Sequence, residues 1–326
     1  LSVAEPRRNT LQLFADNLGV ESVGEYEGGA YFQHYGLLGL DDRLSVYGLL
    51  AEGNLYGSAS YNLAVTPWGT RAGLSYSRSG IRIVDGPFVP LDVKGTSQVF
   101  SANLAQPIVN HGPFLLLGNL AGSVGLSTTK QSGVTITDDR IRKVTAGFSA
   151  SYYGSRFNAT VSPTVSFTDA SLDVTGQRFR YSVYQLSASA SLLLGDSYML
   201  AARGAGQVTD LTLLPGSDLF QIGGPATVRG YPSSAVAGDS GYYVNIELYR
   251  SFADVLEGLE GYVFLDHGSV YSDFPSRQSL TSVGVGVNYS WSNRLRGELS
   301  VGIPVSGTVP DRPDAAVYAR IVATVF

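Results

Sequence analysis

The sequence predicts an all-β fold, a sixteen-stranded antiparallel transmembrane β-barrel, from three observations. Charged residues make up only 15% of the 326 residues, compared with about 25% in typical soluble domains. Apolar and polar residues alternate along most of the chain, which is the spacing of a strand with two different faces. No apolar run approaches the roughly 20 residues that a membrane-spanning helix requires.

Turn-forming residues divide the alternating stretches into sixteen predicted strands. The first eleven lie near residues 10–18, 23–34, 43–52, 54–66, 69–83, 97–107, 113–127, 140–153, 156–168, 180–194 and 197–209. The last five lie near residues 241–252, 258–271, 279–291, 293–304 and 315–326. Several of these strands reach the length of about nine to eleven residues that a tilted strand needs to cross a bilayer.

The alternation is clearest in the segments 54–65, 184–194 and 242–249, where one face is apolar and the other polar. In a transmembrane barrel the apolar face meets lipid and the polar face lines the interior. The polar positions predicted to line the interior include Ser58, Ser60, Ser187, Ser189, Ser191 and Asn245.

The connections between the strands also favour a membrane barrel. Turns of a few residues alternate with longer connections at 84–96, 128–139, 169–179 and 210–240, as in outer-membrane barrels. The alternative, a soluble β-sandwich or propeller, fits the strand lengths and the even strand count less well. Counting back in steps of two from the terminal Phe326 places Arg320 on the same face as Phe326. If that face meets lipid, an arginine there is costly unless it lies near an interface.

Composition excludes several kinds of site. The chain has no cysteine, so disulfides, thiolate catalysis and cysteine-bound metals are excluded. A formal net charge of −5 argues against a nucleic-acid-binding surface, which needs clustered cations to displace counterions from phosphates. The basic stretch at 140–143 is expected to be a solvated turn.

The sequence predicts neither an enzyme nor a metal or cofactor site. The three histidines are far apart and lack the spacing of a metal motif, and no G-x-S-x-G elbow occurs. His267 is expected to be a wall residue near one end of the barrel, because neighbouring strand residues face opposite ways. The acidic pairs at 41–42 and 138–139 are assigned to turns, where aspartate is favoured.

The longest predicted connection, 210–240, contains the stretch FQIGGPATVRGY at 220–231. A disordered loop would not need apolar side chains such as Phe220, Ile222, Val228 and Tyr231, so the loop is expected to pack against the barrel interior. Gly223, Gly224 and Gly230 would permit a close approach of the backbone.

Three motifs resemble a known family. The string IGGPATVRGY followed by GDSGYYVNIELYR is similar to the loop and following strand of two-partner secretion transporters. The start, FADNLGVESVGEYEGGAYFQHYGLLGLDDRLSVYG, resembles the first three strands of that family. The stretch GYVFLDHGSVY matches the F-x-D-x-G strand of its superfamily through Phe264, Asp266 and Gly268. The family is the TpsB family of filamentous-haemagglutinin and haemolysin transporters, within the barrel-assembly superfamily.

The resemblance implies a site in which the loop 210–240 folds into the lumen. Its motif is Val228, Arg229, Gly230 and Tyr231, and the resemblance pairs Arg229 with Asp266. Chemistry agrees, because a guanidinium in a narrow lumen needs a fork-shaped acceptor, and period-two counting turns Asp266 away from the apolar face. Glu247, on the polar face of the preceding strand, is a possible second acceptor.

The function that the resemblance implies is an outer-membrane pore that passes one unfolded exoprotein, an adhesin, cytolysin or contact-dependent toxin, to the cell surface. Residues 1–9 are interpreted as the remnant of a linker from missing periplasmic domains, and 10–326 as the barrel in outer-membrane lipid. Two alternatives stay open: a barrel-assembly insertase with a weak seam between its first and last strands, and the anchor of a surface enzyme.

Overall fold

A computed structural model describes residues 8–273, 276–310 and 312–326. In this part of the chain, sixteen antiparallel strands form one closed barrel, which confirms the predicted fold. The strands of the first part are β1 (Asn9–Asp16), β2 (Glu27–Tyr35), β3 (Arg43–Ala51), β4 (Asn54–Ala64), β5 (Arg71–Arg82), β6 (Val93–His111), β7 (Phe114–Gln131), β8 (Val134–Tyr153), β9 (Phe157–Leu172), β10 (Gln177–Leu194) and β11 (Tyr198–Thr209).

The connection after β11 carries two short strands of its own, β12 (Phe220–Ile222) and β13 (Val236–Gly238), which pair with each other. The barrel then continues through β14 (Ser240–Ser251), β15 (Leu259–Tyr271), β16 (Gln278–Ser292), β17 (Leu295–Ser306) and β18 (Ala316–Thr324). Three 3₁₀ helices are described, at Glu21–Val23, Val89–Leu91 and Gly216–Asp218. Among the described residues, no helix has both the length and the hydropathy to cross a membrane.

The barrel closes where β1 pairs with β18, from Gln12 opposite Thr324 to Asp16 opposite Arg320. Asn17 extends this seam, because its side chain donates to the Val317 carbonyl and accepts from the amide of the next residue but one in β18. The predicted linker 1–9 lies mostly outside the described residues, and β1 begins at Asn9.

Each strand presents an apolar face and a polar face, as the alternation predicts. On β15, Val263 and Leu265 are 51% and 44% exposed, whereas Phe264 and Asp266 between and beyond them are buried. An exposed apolar face is what a barrel strand presents to lipid.

The two ends of the barrel differ. Strands alternate in direction, so the start of β1 and the end of β18 lie at one end, here called the terminal end. The long connection between β11 and β14 lies at the other end, the loop end. Strands β6–β10 have 16 to 20 residues, and the other barrel strands have 8 to 15. The extra residues of β6–β10 extend this part of the sheet at the loop end.

This extension corrects two predicted connections. Residues 128–139 and 169–179 are not long loops, because β7 and β8 continue to a turn at 132–133 and β9 and β10 to a turn at 173–176. The basic stretch 140–143 and the acidic pair 138–139 therefore lie in β8 and not in turns. Their outward residues, such as Arg140, Asp169 and Arg178, are polar, so these segments lack the apolar outer face that identifies a strand in contact with lipid.

The face assigned to Arg320 is also corrected. On β18, Val317 and Ile321 are 54% and 44% exposed, whereas Tyr318 is buried and Arg320 shares its face. Arg320 lies 3.5 Å from the carboxylate of Asp16 on the neighbouring strand. The count groups Tyr318, Arg320 and Thr324 correctly, but Phe326 lies beyond the end of β18 at Thr324 and does not show which face meets lipid.

Candidate functional site

The loop between β11 and β14, residues 210–239, is built on the hairpin of β12 and β13. At the tip, Gly223 and Gly224 have φ values of 113° and 83°, which glycine adopts without strain. A Cβ at Gly223 would lie 2.5 Å from the Pro232 carbonyl oxygen. Thr227 closes the turn, because its hydroxyl accepts from the Gly223 amide and donates to the Gly223 carbonyl. The two glycines therefore shape the loop tip.

The structure brings Arg229 and Asp266 together. The guanidinium donates from Nε to Oδ2 and from Nη2 to Oδ1, both at 2.8 Å. The Arg229 backbone amide donates to the same carboxylate at 3.1 Å. The Arg229 side chain is 7% exposed and that of Asp266 is 0% exposed. This bidentate, charge-assisted geometry is the strongest that an arginine makes with a carboxylate.

Three further groups surround this pair. Glu247 lies 2.7 Å from Arg229 Nη2, as the predicted second acceptor, and itself accepts from the Tyr249 hydroxyl. The ring of Phe264 lies 3.5 Å from Arg229 Cζ, a cation–π distance. The side-chain amide of Asn245 donates to Asp266 at 2.6 Å and to the Thr227 carbonyl.

The charge state of Arg229 follows from these partners. Burial lowers the pKa of Arg229, but hydrogen bonds and charge attraction from Asp266 and Glu247 raise that pKa above its ordinary value. The guanidinium therefore remains charged, and the cluster of one cation and two carboxylates works as a fixed attachment. We call Arg229, Asp266, Glu247, Asn245 and Phe264 the arginine attachment.

Gly230 and Tyr231 continue the contact toward β16, β17 and β18. The Gly230 amide donates to the Tyr318 hydroxyl at 2.9 Å. A Cβ at Gly302 would lie only 2.6 Å from the Gly230 nitrogen, so the loop and β17 both need glycine where they meet. The buried Tyr231 hydroxyl lies within hydrogen-bonding distance of the Thr281 and Ser306 carbonyl oxygens.

Gly268 of the F-x-D-x-G motif has a packing role. A Cβ at this position would lie 3.1 Å from Ile222 and 3.2 Å from Val228, so glycine lets the apolar side of the loop approach β15. The loop and the wall share one hydrophobic cluster, formed by Ile222, Val228, Tyr231, Val236, Val270, Leu280 and Val309.

A second attachment was not predicted from the sequence. Asp218, before β12, accepts from Lys143 Nζ of β8 at 2.8 Å and from the Tyr181 hydroxyl of β10 at 2.7 Å. Gln207 of β11 donates to the backbone carbonyls of Asp218 and Asp239. We call Asp218, Lys143 and Tyr181 the aspartate attachment.

Among the described residues, the loop bonds to only part of the barrel wall. Its side-chain hydrogen bonds and ion pairs, within the described residues, reach β8, β10, β11 and β14–β18. Leu214 also belongs to a hydrophobic cluster that includes Ala170 of β9. These nine neighbouring strands form the covered arc, and the remaining strands, β1–β7, form the open arc.

The structure also shows the surroundings of two predicted wall residues, Asn245 and His267. Asn245 is fully buried under the loop and does not line an open passage, because its amide is used by the arginine attachment. His267 lies on the same face as Val263 and Leu265, where its ring nitrogens contact Thr281 Oγ1 at 2.9 Å and the Tyr242 hydroxyl at 3.3 Å. Among the described residues, no group of three or more potential ligands is arranged for a metal ion.

Some of these residues could have been found from the sequence. A glycine within a strand pattern, such as Gly302, indicates that another backbone approaches closely. Tyr318 has no such signal, because only closure of the barrel brings β18 beside the loop. The aspartate attachment joins residues that are 37 and 75 positions apart, and no local pattern links them.

Comparison with known proteins gives consistent results. The model of the family described as haemolysin secretion/activation protein ShlB/FhaC/HecB matches residues 1–289. The outer membrane transporter CdiB of Dickeya dadantii (strain 3937) is 26% identical over 273 residues, which cover 78% of this chain and 48% of that protein. The chain thus spans about half the length of the curated relative that it matches.

Two solved structures share the fold over nearly the whole chain. CdiB from Escherichia coli has a TM-score of 0.85 and 18% identity, and the match covers 99% of this chain and 64% of that one. CdiB from Acinetobacter baumannii has a TM-score of 0.79 and 20% identity, with 98% and 60% covered. At these identities the likeness concerns the fold.

Proposed function

Because this chain belongs to the family of haemolysin secretion/activation proteins ShlB/FhaC/HecB, we propose that it forms the outer-membrane pore through which a partner exoprotein is secreted. The family is one of transporters and not of enzymes, so the alternative of an anchor for a surface enzyme is set aside. The barrel is an integral outer-membrane protein, and its passenger is an adhesin, cytolysin or contact-dependent toxin in an unfolded state.

The observation that carries this proposal is the closed sixteen-stranded barrel with one arc covered by a loop and one arc open. Barrels of sixteen strands are wide enough for an aqueous channel. On the open arc, small uncharged side chains such as Ser58, Ser60 and Ser101 lie on the polar face and are only half-buried. Such a wall offers hydrogen bonds to an extended chain without holding any one side chain.

In this proposal the polar face lines the lumen, and the loop 210–239 lies inside the barrel against the covered arc. The arginine attachment is buried, and breaking a buried ion pair by removing one partner costs about 3–5 kcal/mol. The loop therefore stays docked during transport, and the passenger moves along the open arc beside it.

Secretion of the exoprotein by the full-length protein tests the pore function. Arg229→Ala and Asp266→Ala are compared with Arg71→Ala, which removes an exposed ion pair with Asp41 on the open arc. We expect secretion from the wild type and the control, and a loss in the two loop variants at equal levels of folded barrel. Secretion by no variant, including the wild type, would contradict the pore.

A cross-link tests whether the loop stays docked. The chain has no natural cysteine, and a Cβ at Gly268 would lie 3.2 Å from Val228 Cγ2, within reach of a disulfide after small adjustment. We expect Val228→Cys/Gly268→Cys to secrete equally when oxidised and reduced. Secretion that stops on oxidation and returns with reductant would show that the loop must leave the wall.

A second cross-link separates the pore from the barrel-assembly insertase. The side chains of Gln12 and Thr324 lie 3.5 Å apart across the seam, so Gln12→Cys/Thr324→Cys can lock β1 to β18. A pore continues to secrete with a locked seam. Depletion of other outer-membrane barrels on oxidation would instead favour the insertase.

A further inference from the structure

Four arginines form a cluster on the apolar side of β8 and β10 near the loop end. Register places Arg142 of β8 and Arg180 of β10 on either side of Asp169 of β9. One row farther from the terminal end, Arg140 and Arg178 flank a serine of β9. All four side chains are exposed, and with Asp169 the cluster carries a net charge of about +3 at neutral pH.

Among the described residues, two of these four arginines have a partner. Arg178 makes a bidentate contact with Asp169 at 2.7 and 2.5 Å, and Arg180 contacts the same carboxylate at 3.2 Å. Arg140 and Arg142 make no hydrogen bond or ion pair with another described residue. Asp138 lies one row farther out on the same face, beside Arg140, and accepts from Thr128; among the described residues no ion pair joins it to Arg140 or Arg142.

The cluster borders a groove with apolar lining. A groove of about 660 Å³ lies on this side of β7–β10. Its charged lining residues are the cations Arg142, Lys143 and Arg180 and the carboxylates Asp169 and Asp210, and its apolar lining includes Val124, Val144 and Phe167. A groove of about 550 Å³ across β3–β7 has no charged lining residue. The combination of cations and apolar side chains is therefore a property of β8–β10 and not of every groove on the barrel.

The height of the cluster places it at a membrane interface. At the terminal end of the same strands, Tyr152 packs against Phe114 and Phe157 with ring centroids 5.0 and 6.0 Å away, as in an aromatic girdle. Arg142 lies ten residues from Tyr152 on β8, about 33 Å along the strand. At a tilt of about 40° this is about 25 Å along the barrel axis, the usual height of the apolar band.

The loop end faces the outside of the cell, because outer-membrane barrels have short periplasmic turns and longer extracellular loops. The cluster therefore lies at the headgroup level of the outer leaflet. Guanidinium groups match phosphate oxygens with two parallel hydrogen bonds. We propose that this surface binds a phosphorylated glycolipid of the outer leaflet, with its phosphates on Arg140, Arg142 and Arg180 and an acyl chain in the groove.

This proposal is tested with the purified full chain in detergent micelles, titrated with diphosphorylated lipid A and, separately, with lipid A whose phosphates have been removed. Arg140→Gln/Arg142→Gln leaves the Arg178–Asp169 pair intact. The control, Arg250→Gln/Arg294→Gln, removes two cations at the terminal end, where Arg250 lies over Tyr198 and Phe252. Heat-modifiable gel migration verifies that each barrel is folded.

We expect the dissociation constant of diphosphorylated lipid A to rise about 25-fold in Arg140→Gln/Arg142→Gln, from about five-fold per interfacial arginine. The wild type and the control should bind alike, and removal of the phosphates should weaken binding to the wild type. Equal affinity of the two double variants, or equal binding of both lipids, would overturn the proposal. This titration measures lipid binding and not secretion. Failure of the proposed secretion function would therefore leave its result unchanged.

Discussion

The covered arc and the open arc are made of the same kind of strand, yet their polar faces differ. On the covered arc, Asn245, Asp266 and Ser282 are completely buried. On the open arc, Ser58 and Ser101 are only half-buried. A few residues that complement the loop, rather than a different strand pattern, make one part of the wall a docking surface and leave the other part open.

Loss of the arginine attachment is expected to weaken loop docking more than any other change. Asp266→Ala removes the acceptor of three Arg229 groups and leaves a buried cation with Glu247, which should weaken loop docking by about 3–5 kcal/mol. Hydrogen exchange should show lost protection at 220–238, while the strands of the open arc remain protected. Asp41→Ala, in the exposed pair with Arg71, should cost less than about 1 kcal/mol. Equal losses in both variants would contradict the assignment.

A smaller effect is expected where the loop backbone meets β17. Gly302→Ala places a methyl group 2.6 Å from the Gly230 nitrogen, and such overpacking costs about 1–3 kcal/mol. Gly122→Ala on β7 of the open arc is the matched control, because a Cβ there meets nothing within 4 Å. Denaturant unfolding in micelles should show a lower midpoint for Gly302→Ala only. A similar fall in both variants would mean that the loop contact is not the cause.

A change in the aspartate attachment tests whether the two parts of the loop dock independently. Asp218→Asn removes the charge that faces Lys143 and keeps an acceptor for Tyr181, so we expect a loss of about 1 kcal/mol. Hydrogen exchange should increase at 211–219 and stay unchanged at 223–231. Increased exchange in both segments would show that the two attachments form one cooperative unit.

The smallest effect is a pH dependence of the turn 36–42 on the open arc. Burial raises the pKa of Asp42, but hydrogen bonds from the Tyr61 hydroxyl and the Leu40 and Leu38 amides lower that pKa below its ordinary value. A lowered pKa stabilises the turn 36–42 above the unfolded pKa of about 4, and this stability is lost as the pH falls through the lowered value.

Nuclear magnetic resonance of the Leu38 and Leu40 amides can follow this turn between neutral and acidic pH. Their protection should fall in acid, and Asp42→Asn should abolish the pH dependence. An unchanged turn in acid would disprove the role of Asp42.

The site was predicted in part, and for identifiable reasons. Motif resemblance and period-two counting brought together Arg229 and Asp266, and counting alone placed Glu247 on the polar face, where it lies 2.7 Å from Arg229. The strand ends at 128–139 and 169–179 were misassigned, because outward residues such as Arg140 and Asp169 are polar where the sheet extends beyond the apolar band.

The class of fold, the number of barrel strands and the apolar face of most strands could be predicted from the sequence alone. These properties depend on residue spacing along one strand and on the lipid that one face must meet. Only the tertiary structure decided which strands the loop covers, that Arg320 turns toward Asp16, and that Asp218 meets Lys143 and Tyr181. Those contacts depend on barrel closure and register, which join residues that no local pattern relates.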